Sequence, residues 1–552
     1  MITFPTLIES PARTDALVVC LHVLFLITLY AQVRTFGYVY FDDDSYVLWN
    51  TAVRDGLSLK SVHWAFTSFY AGNWHPLTWL SHMLDVSIAD IDPGWAHVHN
   101  AIIHGMNGIL VYILLTRLCG CRIKGAFLSL IFLVHPQHVE SVAWIAERKD
   151  VLCAFFYLIG LILYDRHQAR PSVGSYLMLL FAFIFASLAK PMAVTFPVVL
   201  VILDMFHYRK GQYLNGLADS WKSRSLAVFV GDKIPLFIIA LMLAVTTLMA
   251  QSDGGAVADL ETLTYMDRVK NAAIGYSIYL KQFLVPTDLA IFYPFDKSWS
   301  VKELAFPFVL LIGWVAFAFA QTRNRSLVIA GLTCYLATLL PVVGLVQVGS
   351  QSHADRYMYI PSIGILLACS YLLPDAKTRY RALSLTIFTA FIAYLSFICY
   401  LQVGYWENRH TLFSRALDVS GPHWRIHVHI AGDYLDRDMP AKALEHGRIA
   451  LELRPDTPMT YRSMGNIAMA MNDLALAEQY YVQALNMGSR SANLYNNLGV
   501  AFGRQNKTED AVVAFNIALR LSPNMYTAKK NLEKYGHGGN FDTAAPDLIH
   551  ES

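Results

Sequence analysis

The 552 residues are 55% hydrophobic and only 15% charged, with a mean hydropathy of +0.38. A soluble enzyme of this length does not carry so much apolar material, so the chain reads as a polytopic membrane protein. The formal net charge of +2, with basic residues in short clusters between apolar runs, supplies no patch for nucleic acid.

The first apolar run, 16–33, lacks a small-residue cleavage site behind it and reads as a retained anchor rather than a signal peptide. Ten further runs of about bilayer length follow at 97–117, 124–140, 151–165, 174–189, 191–206, 234–250, 303–320, 326–346, 357–374 and 382–403. Several fall short of the roughly 20 residues a perpendicular helix needs, which predicts tilted or broken helices. The stretch 271–285 carries Lys281 and Gln282 and reads as a helix lying in the interface. With that stretch not crossing and the N-terminus inside, five basic clusters share the cytoplasmic side: Arg117/Arg122/Lys124, Arg166/Arg170, Arg209/Lys210/Lys222/Arg224, Arg323/Arg325 and Lys377/Arg379/Arg381. The loop after the first span and everything beyond residue 404 then lie on the other face. The seven cysteines, mostly in or beside apolar runs, read as packing residues without a disulfide framework.

Asp42, Asp43 and Asp44 stand just beyond the first span. They read either as a solvated helix stop or as carboxylates that act as a base or hold a cation at the membrane surface. In the second span His97, Asn100, His104 and Asn107 recur three, four and three residues apart, a single stripe suited to hydrogen bonding between helices. His135, His138 and Glu140 offer a weakly spaced set of metal ligands. Arg148, Lys149, Lys190, His353 and Arg356 all fall on the outer face, where a Lys ordinarily snorkels, and together would suit a phosphate at headgroup level. Arg356 is the best placed for bidentate phosphate contact, its fork of donors matching phosphate oxygens.

Beyond residue 405 the pattern changes. Ala431, Gly465 and Gly499 recur every 34 residues, each followed at one offset by Ala443, Ala477 and Ala511, the period of tetratricopeptide repeats. Three repeats and a trailing helix, 424–535, predict a small solenoid with a groove for an extended peptide or partner protein, and 536–552 a loose tail. The fold class predicted is therefore all-α: a helical membrane bundle over 1–405 followed by an α-solenoid.

Several motifs carry a family resemblance: Phe41-Asp-Asp-Asp-Ser-Tyr46, Asn73-Trp-His-Pro-Leu-Thr-Trp-Leu-Ser-His82, His135-Pro-Gln-His-Val-Glu-Ser-Val-Ala-Trp144, Glu147-Arg-Lys-Asp150, Ala189-Lys-Pro191, Gly344-Leu-Val-Gln-Val-Gly349 and Ala354-Asp-Arg-Tyr-Met-Tyr-Ile-Pro361. Together they resemble the bacterial branch of the transmembrane and tetratricopeptide-repeat O-mannosyltransferases, members of the GT-C glycosyltransferases. The resemblance runs from about residue 35 through the repeats. It implies a GT-C-like bundle in a bacterial inner membrane, a polyprenyl-phosphate-sugar donor, a protein hydroxyl acceptor on the periplasmic face, and a base among the acidic residues of the first outer loop, where Asp42 and Asp43 match the family's acidic pair.

Transfer from a lipid phosphate needs a base for the acceptor hydroxyl and cations for the departing phosphate. Asp42 or Asp43 fills the first role, and Arg356, Lys190, Arg148, Lys149 and His353 the second. Tyr46, Trp74, His75, His135, His138, Glu140 and Asp355 are assigned to the sugar and acceptor pocket. A lipid-phosphate leaving group removes the need for a chelating metal, so no obligatory metal or cofactor is expected, although the acidic triplet suits Mg²⁺ or Mn²⁺. Two other readings are a membrane-anchored repeat scaffold and a flippase of a lipid-linked sugar.

Overall fold

The computed structural model describes residues 10–208, 230–253, 264–295, 325–345, 351–373, 381–523 and 525–536, with isolated positions between 305 and 316. The expected span 303–320, the Val346–Gly349 part of one motif, several basic-cluster residues and the C-terminal tail beyond Gly536 lie outside them. The fold is all-α, and among the described residues the strand-like pairings are isolated bridges. The chain forms two compact units, Met1–Gly37 with Leu57–Glu407, and Tyr38–Gly56 with Asn408–Ser552.

Among the described residues of the first unit six helices are long and apolar enough to cross a membrane: Pro11–Thr35, Pro93–Cys119, Pro191–Tyr208, Gly231–Ser252, Arg325–Val342 and Arg381–Gly404. The protein is an integral membrane protein. Val173–Ala189 is a shorter apolar helix. Three expected spans are corrected in form. The run 124–140 breaks after helix Arg122–Val134, because Pro136 holds His135 extended (φ −76°, ψ 124°), and continues as a turn Pro136–His138 and a short helix Val139–Ala143. The run 357–374 shortens to helix Pro361–Cys369, with Pro361 in its first turn. The run 151–165 sits inside helix Arg148–Ala169, charged at both ends. The stretch read as an interfacial helix belongs to Tyr265–Leu284, which is not among the apolar spans.

A broken helix exposes carbonyls that lipid cannot satisfy. The polar stripe of Pro93–Cys119 supplies their donors. His104 Nε2 donates to Leu133 O at 3.0 Å, Asn100 Nδ2 to Trp144 O at 3.0 Å, and Asn107 Nδ2 to Val151 O at 2.9 Å. His97 Nε2 lies 3.2 Å from Gly37 O. The stripe is thus interhelical glue around residues 133–151, as its spacing predicts. Nearby, helices Arg325–Leu339 and Pro361–Cys369 meet backbone to backbone. A Cβ on Gly331 would fall 2.5 Å from Gly364 O, and one on Gly364 would fall 2.7 Å from Tyr335 N.

The second unit is built of helix pairs. Trp424–Asp436 with Pro440–Leu453, Pro458–Ala470 with Leu474–Asn486, and Ala492–Arg504 with Thr508–Leu521 follow one another, flanked by Arg409–Ser420 and Tyr526–Tyr535. In each pair the turn is made by a residue at positive φ: Asp438 (56°), Asn472 (63°) and Asn506 (62°), again 34 residues apart. Asp and Asn tolerate that conformation better than other side-chain residues. Small residues let the paired helices close: the ring of Phe515 would lie 2.7 Å from a Cβ on Gly499, and Tyr481 covers Gly465 in the same way.

The first pair is rich in imidazoles. Burial, aided by Arg425, pushes His423 down to about 4, while burial and His446 lower His427. Burial lowers His446 as well, and His429, stacked on Phe413 at 4.3 Å, is held well below the usual range by burial and then Arg409. These groups fold neutral, whereas in the unfolded chain they take up protons once pH falls below about 6.5. Stability is therefore full above that value and lost as pH drops toward the folded pKa values. Thermal melting of the purified protein is expected about 5 °C lower at pH 5 than at pH 7.5, with His446→Gln reducing the difference. A flat profile would mean the imidazoles are not coupled to folding.

Candidate active site

Three short irregular stretches of the first unit converge. Trp144, extended between helix Val139–Ala143 and the turn Ile145–Glu147, precedes Glu147 and Lys149. Lys190 is extended (φ −155°, ψ 140°) because Pro191 follows it and ends helix Val173–Ala189. Arg356 stands in the turn Asp355–Met358.

Glu147 is the hub. Its carboxylate lies 3.1 Å from Lys149 Nζ, 3.1 Å from Lys190 Nζ and 3.3 Å from Arg356 Nε. Lys190 also bonds Asp150 at 2.6 Å, and Ser141 donates to Asp150 at 3.1 Å. Glu140 accepts from the Arg356 backbone N–H at 2.9 Å and from its Nη1. The Trp144 ring lies under both Arg356 (5.4 Å) and Lys149 (5.9 Å). Asp355 turns to Tyr293, whose hydroxyl is 3.0 Å from both carboxylate oxygens.

The electrostatics sort these carboxyls. Burial works to raise Glu147, but Lys149, Lys190 and Arg356 overcome it and hold the group well below the usual carboxylate range. Burial pushes Asp150 up, with Lys190 opposing and Glu147 assisting, and burial and then Glu140 push Asp355 far up. Three cations thus face Glu140, Glu147 and Asp150, with the raised carboxyl of Asp355 turned to Tyr293. Arg356 spends Nη1, Nε and its backbone N–H on the two glutamates. Its Nη2 makes no hydrogen bond among the described residues, which leaves a donor for an oxyanion.

Of the five cations assigned to a phosphate, Arg356, Lys190 and Lys149 come together, and two do not join them. Arg148 is fully buried and points the other way, to Asp85 (2.7 Å), Ser81 Oγ (2.7 Å), Ala96 O (2.9 Å) and Asn100. Its place at the first turn of the helix sends its side chain to a different face from that of Lys149. His353 stacks on Tyr293 at 3.9 Å and burial pushes it down to about 3, so it is no cation.

The pocket residues also divide. Glu140 and Asp355 belong to the cluster, and His75 is buried on Trp79 at 4.6 Å, within the electrostatic reach of Lys149, Glu147 and Lys190. His135 and His138 instead satisfy the broken helix. His135 Nε2 donates to Phe283 O at 2.9 Å, while His138 Nδ1 donates to Phe132 O at 2.8 Å and its Nε2 lies 3.0 Å from the Ser362 hydroxyl. Their ring nitrogens are thus spent on these partners. Among the described residues no group of three or more His, Cys, Asp or Glu is placed to hold a metal ion. Trp74 is held by Nε1 donating to Phe66 O at 3.0 Å.

Asp42, Asp43 and Tyr46 belong to the second unit. Asp42 is exposed and sits at φ 66°, a costly conformation for a residue with a Cβ. Asp43 is 0% exposed and accepts the Val39 N–H at 3.1 Å, closing the turn that presents Asp42. Tyr46 is buried, with its N–H on Asp42 O at 2.8 Å. Asp44 accepts the Ser45 N–H at 2.9 Å, and burial pushes its carboxyl up.

Sequence reasoning passed over Glu147, Trp144 and Asp150. The available signal was four consecutive charges, Glu147 to Asp150, directly behind an apolar segment, where an anion between cations is a natural hub.

No family model matches the chain. It is 21% identical over 551 residues to human protein O-mannosyl-transferase TMTC3, covering 89% of this chain and 59% of the relative. It is 24% identical over 425 residues to mouse protein O-mannosyl-transferase TMTC4, covering 68% and 57%. Against fruit-fly (Drosophila melanogaster) protein O-mannosyl-transferase Tmtc1 the identity is 30% over 180 residues, 31% of this chain and 20% of the relative. The chain spans just under three-fifths of the length of each of these first two relatives. The curated relatives of this membrane protein are thus TMTC-family protein O-mannosyltransferases, matched at low identity over most of the chain.

Proposed function

We propose that the chain is a membrane glycosyltransferase that moves a hexose, mannose by likeness to its relatives, from a polyprenyl-phosphate donor to a protein Ser or Thr hydroxyl. In this reading the donor and acceptor meet on the non-cytoplasmic face of a bacterial inner membrane, and the helix pairs are tetratricopeptide repeats. The observation that carries it is the Glu147-centred cluster, where three cations are held in a buried, aromatic-floored site beside an unspent edge of Arg356. Such preorganised donors stabilise the charge that develops on a departing phosphate. Glu147 keeps Lys149, Lys190 and Arg356 charged and in place, and Glu140 fixes the Arg356 fork.

The base is Asp42, the exposed member of the acidic pair, with Asp43 shaping its turn. Asp takes the acceptor proton as the hydroxyl oxygen bonds to the anomeric carbon. The bond from that carbon to phosphate oxygen breaks, and the electron pair leaves on the lipid phosphate, an inverting displacement. In this reading the protein's own residues fill these roles.

Mass-spectrometric glycoprofiling of outer-face proteins from cells with wild type or Asp42→Asn, at matched membrane levels, tests this. A hexose modification is expected to fall at least about 10²-fold in the variant. Identical profiles would remove Asp42 as base; a changed distribution of lipid-linked sugar with unchanged proteins would favour a flippase.

A further inference from the structure

Within the second unit, residues 38–56 pack against the helices of the same chain's C-terminal part. At the front of this segment the Arg409 guanidinium lies 4.3 Å over the Tyr40 ring, and Phe41 packs edge-on against His429 (5.2 Å) and Phe413 (5.8 Å). At its rear Trp49 O accepts the Tyr526 N–H at 3.2 Å, Asn50 bridges to Met525, and Arg54 lies 4.4 Å over the Tyr526 ring. The segment therefore reaches from Arg409–Ser420 and Trp424–Asp436 to the last helix, Tyr526–Tyr535.

Its acidic triplet meets a basic set from the same helices. Arg425 interacts with Asp42, and Arg409 and Arg462 interact with Asp44. Arg425 and Arg462 belong to the first helices of the first two pairs, the helices whose shared face forms the binding surface of a repeat solenoid. Aromatic anchors at one end, backbone pairing at the other and charge complementarity between them are the features of a bound peptide. Asp42 holds its left-handed conformation because this surrounding over-determines it.

We propose that the repeat unit binds the first outer loop as an internal ligand, and that Arg425 and Arg462 are positioning residues that fix the turn presenting Asp42. The positioning half rests on Asp42 being the base; the binding half does not. Over this stretch the groove is then not an acceptor site.

The test uses the full chain in lipid nanodiscs. In Arg425→Ala/Arg462→Ala, amide hydrogen exchange over residues 38–50 is expected to accelerate at least about tenfold, as lost charge-assisted contacts predict, with helices Ala492–Arg504 and Thr508–Leu521 unchanged. The Lys variants should restore most of the protection, and sugar transfer in the Ala variant should fall in kcat with the acceptor KM unchanged. Unchanged exchange over 38–50 overturns the binding half. Faster exchange with unchanged kcat overturns the positioning half. Should the double variant fail to fold, Asp44→Asn loosens the same contact from the loop side, and unchanged exchange there is equally decisive. A wild type without transferase activity would strike the reading of Asp42 as base, and the exchange result would still decide the binding.

Discussion

Replacing Arg356 with alanine is expected to lower sugar transfer by about 10²–10³-fold, the usual loss when one donor is removed from a preorganised oxyanion site. The reason is specific to its position. Arg356 alone joins Glu140, Glu147 and the Trp144 face while keeping Nη2 unspent. Alanine also leaves Glu140 buried without its cation, so part of the loss would come from misfolding. Arg356→Lys separates the two effects: it keeps the charge and discards the planar fork. The lysine variant should melt close to wild type yet transfer on the order of tenfold more slowly. Initial rates normalised to folded protein decide this, and a lysine variant at full rate would show that the fork has no part in the reaction.

Arg148→Ala, by contrast, is expected to damage the fold, with a cost of about 3–5 kcal/mol. Arg148 is adjacent in sequence to Lys149 and carries the same charge, yet its side-chain contacts go to Asp85, Ser81, His99, Asn100 and Ala96 O. Without it the buried Asp85 keeps only the His99 imidazole, at 2.5 Å, and loses its permanent cation. Substituting both partners, Arg148→Met with Asp85→Leu, should recover much of the loss because no orphan charge remains. Melting temperatures of the two single variants and the double variant in detergent measure the coupling. An Arg148→Ala protein that melts normally but no longer transfers sugar would move Arg148 into the chemistry.

The contrast between these neighbours marks what could be read from the sequence. Periodicity was enough for the helical class, for the 34-residue repeat and for the hydrogen-bonding stripe at His97, Asn100, His104 and Asn107, because those signals recur along one helix face. The gathering of Lys149, Lys190 and Arg356 was legible as a set of cations assigned to one phosphate. That Glu147 organises them was not, since the partners lie 2, 43 and more than 200 residues away and local pattern carries no record of such pairing. His135 and His138 look like ligands until the break at Pro136 leaves Phe132 O and other carbonyls in need of donors. The distinction between Asp42 and Asp43 depends on one turn, where a single backbone N–H from Val39 claims one carboxylate and leaves the other outward.

The division of the chain into its two units has a mechanical consequence. Because residues 38–56 fold with the C-terminal helices, the polypeptide passes between the units three times, at 37/38, 56/57 and 407/408. A module hung from a single hinge can be released by one cut, but this one is sewn on. A protease nick near residue 408 would leave the helical array still holding a segment whose two ends run into the first unit, so the fragments would purify together. Each tether also keeps the loop at high effective concentration for its groove, so that rebinding after any brief release is intramolecular and fast.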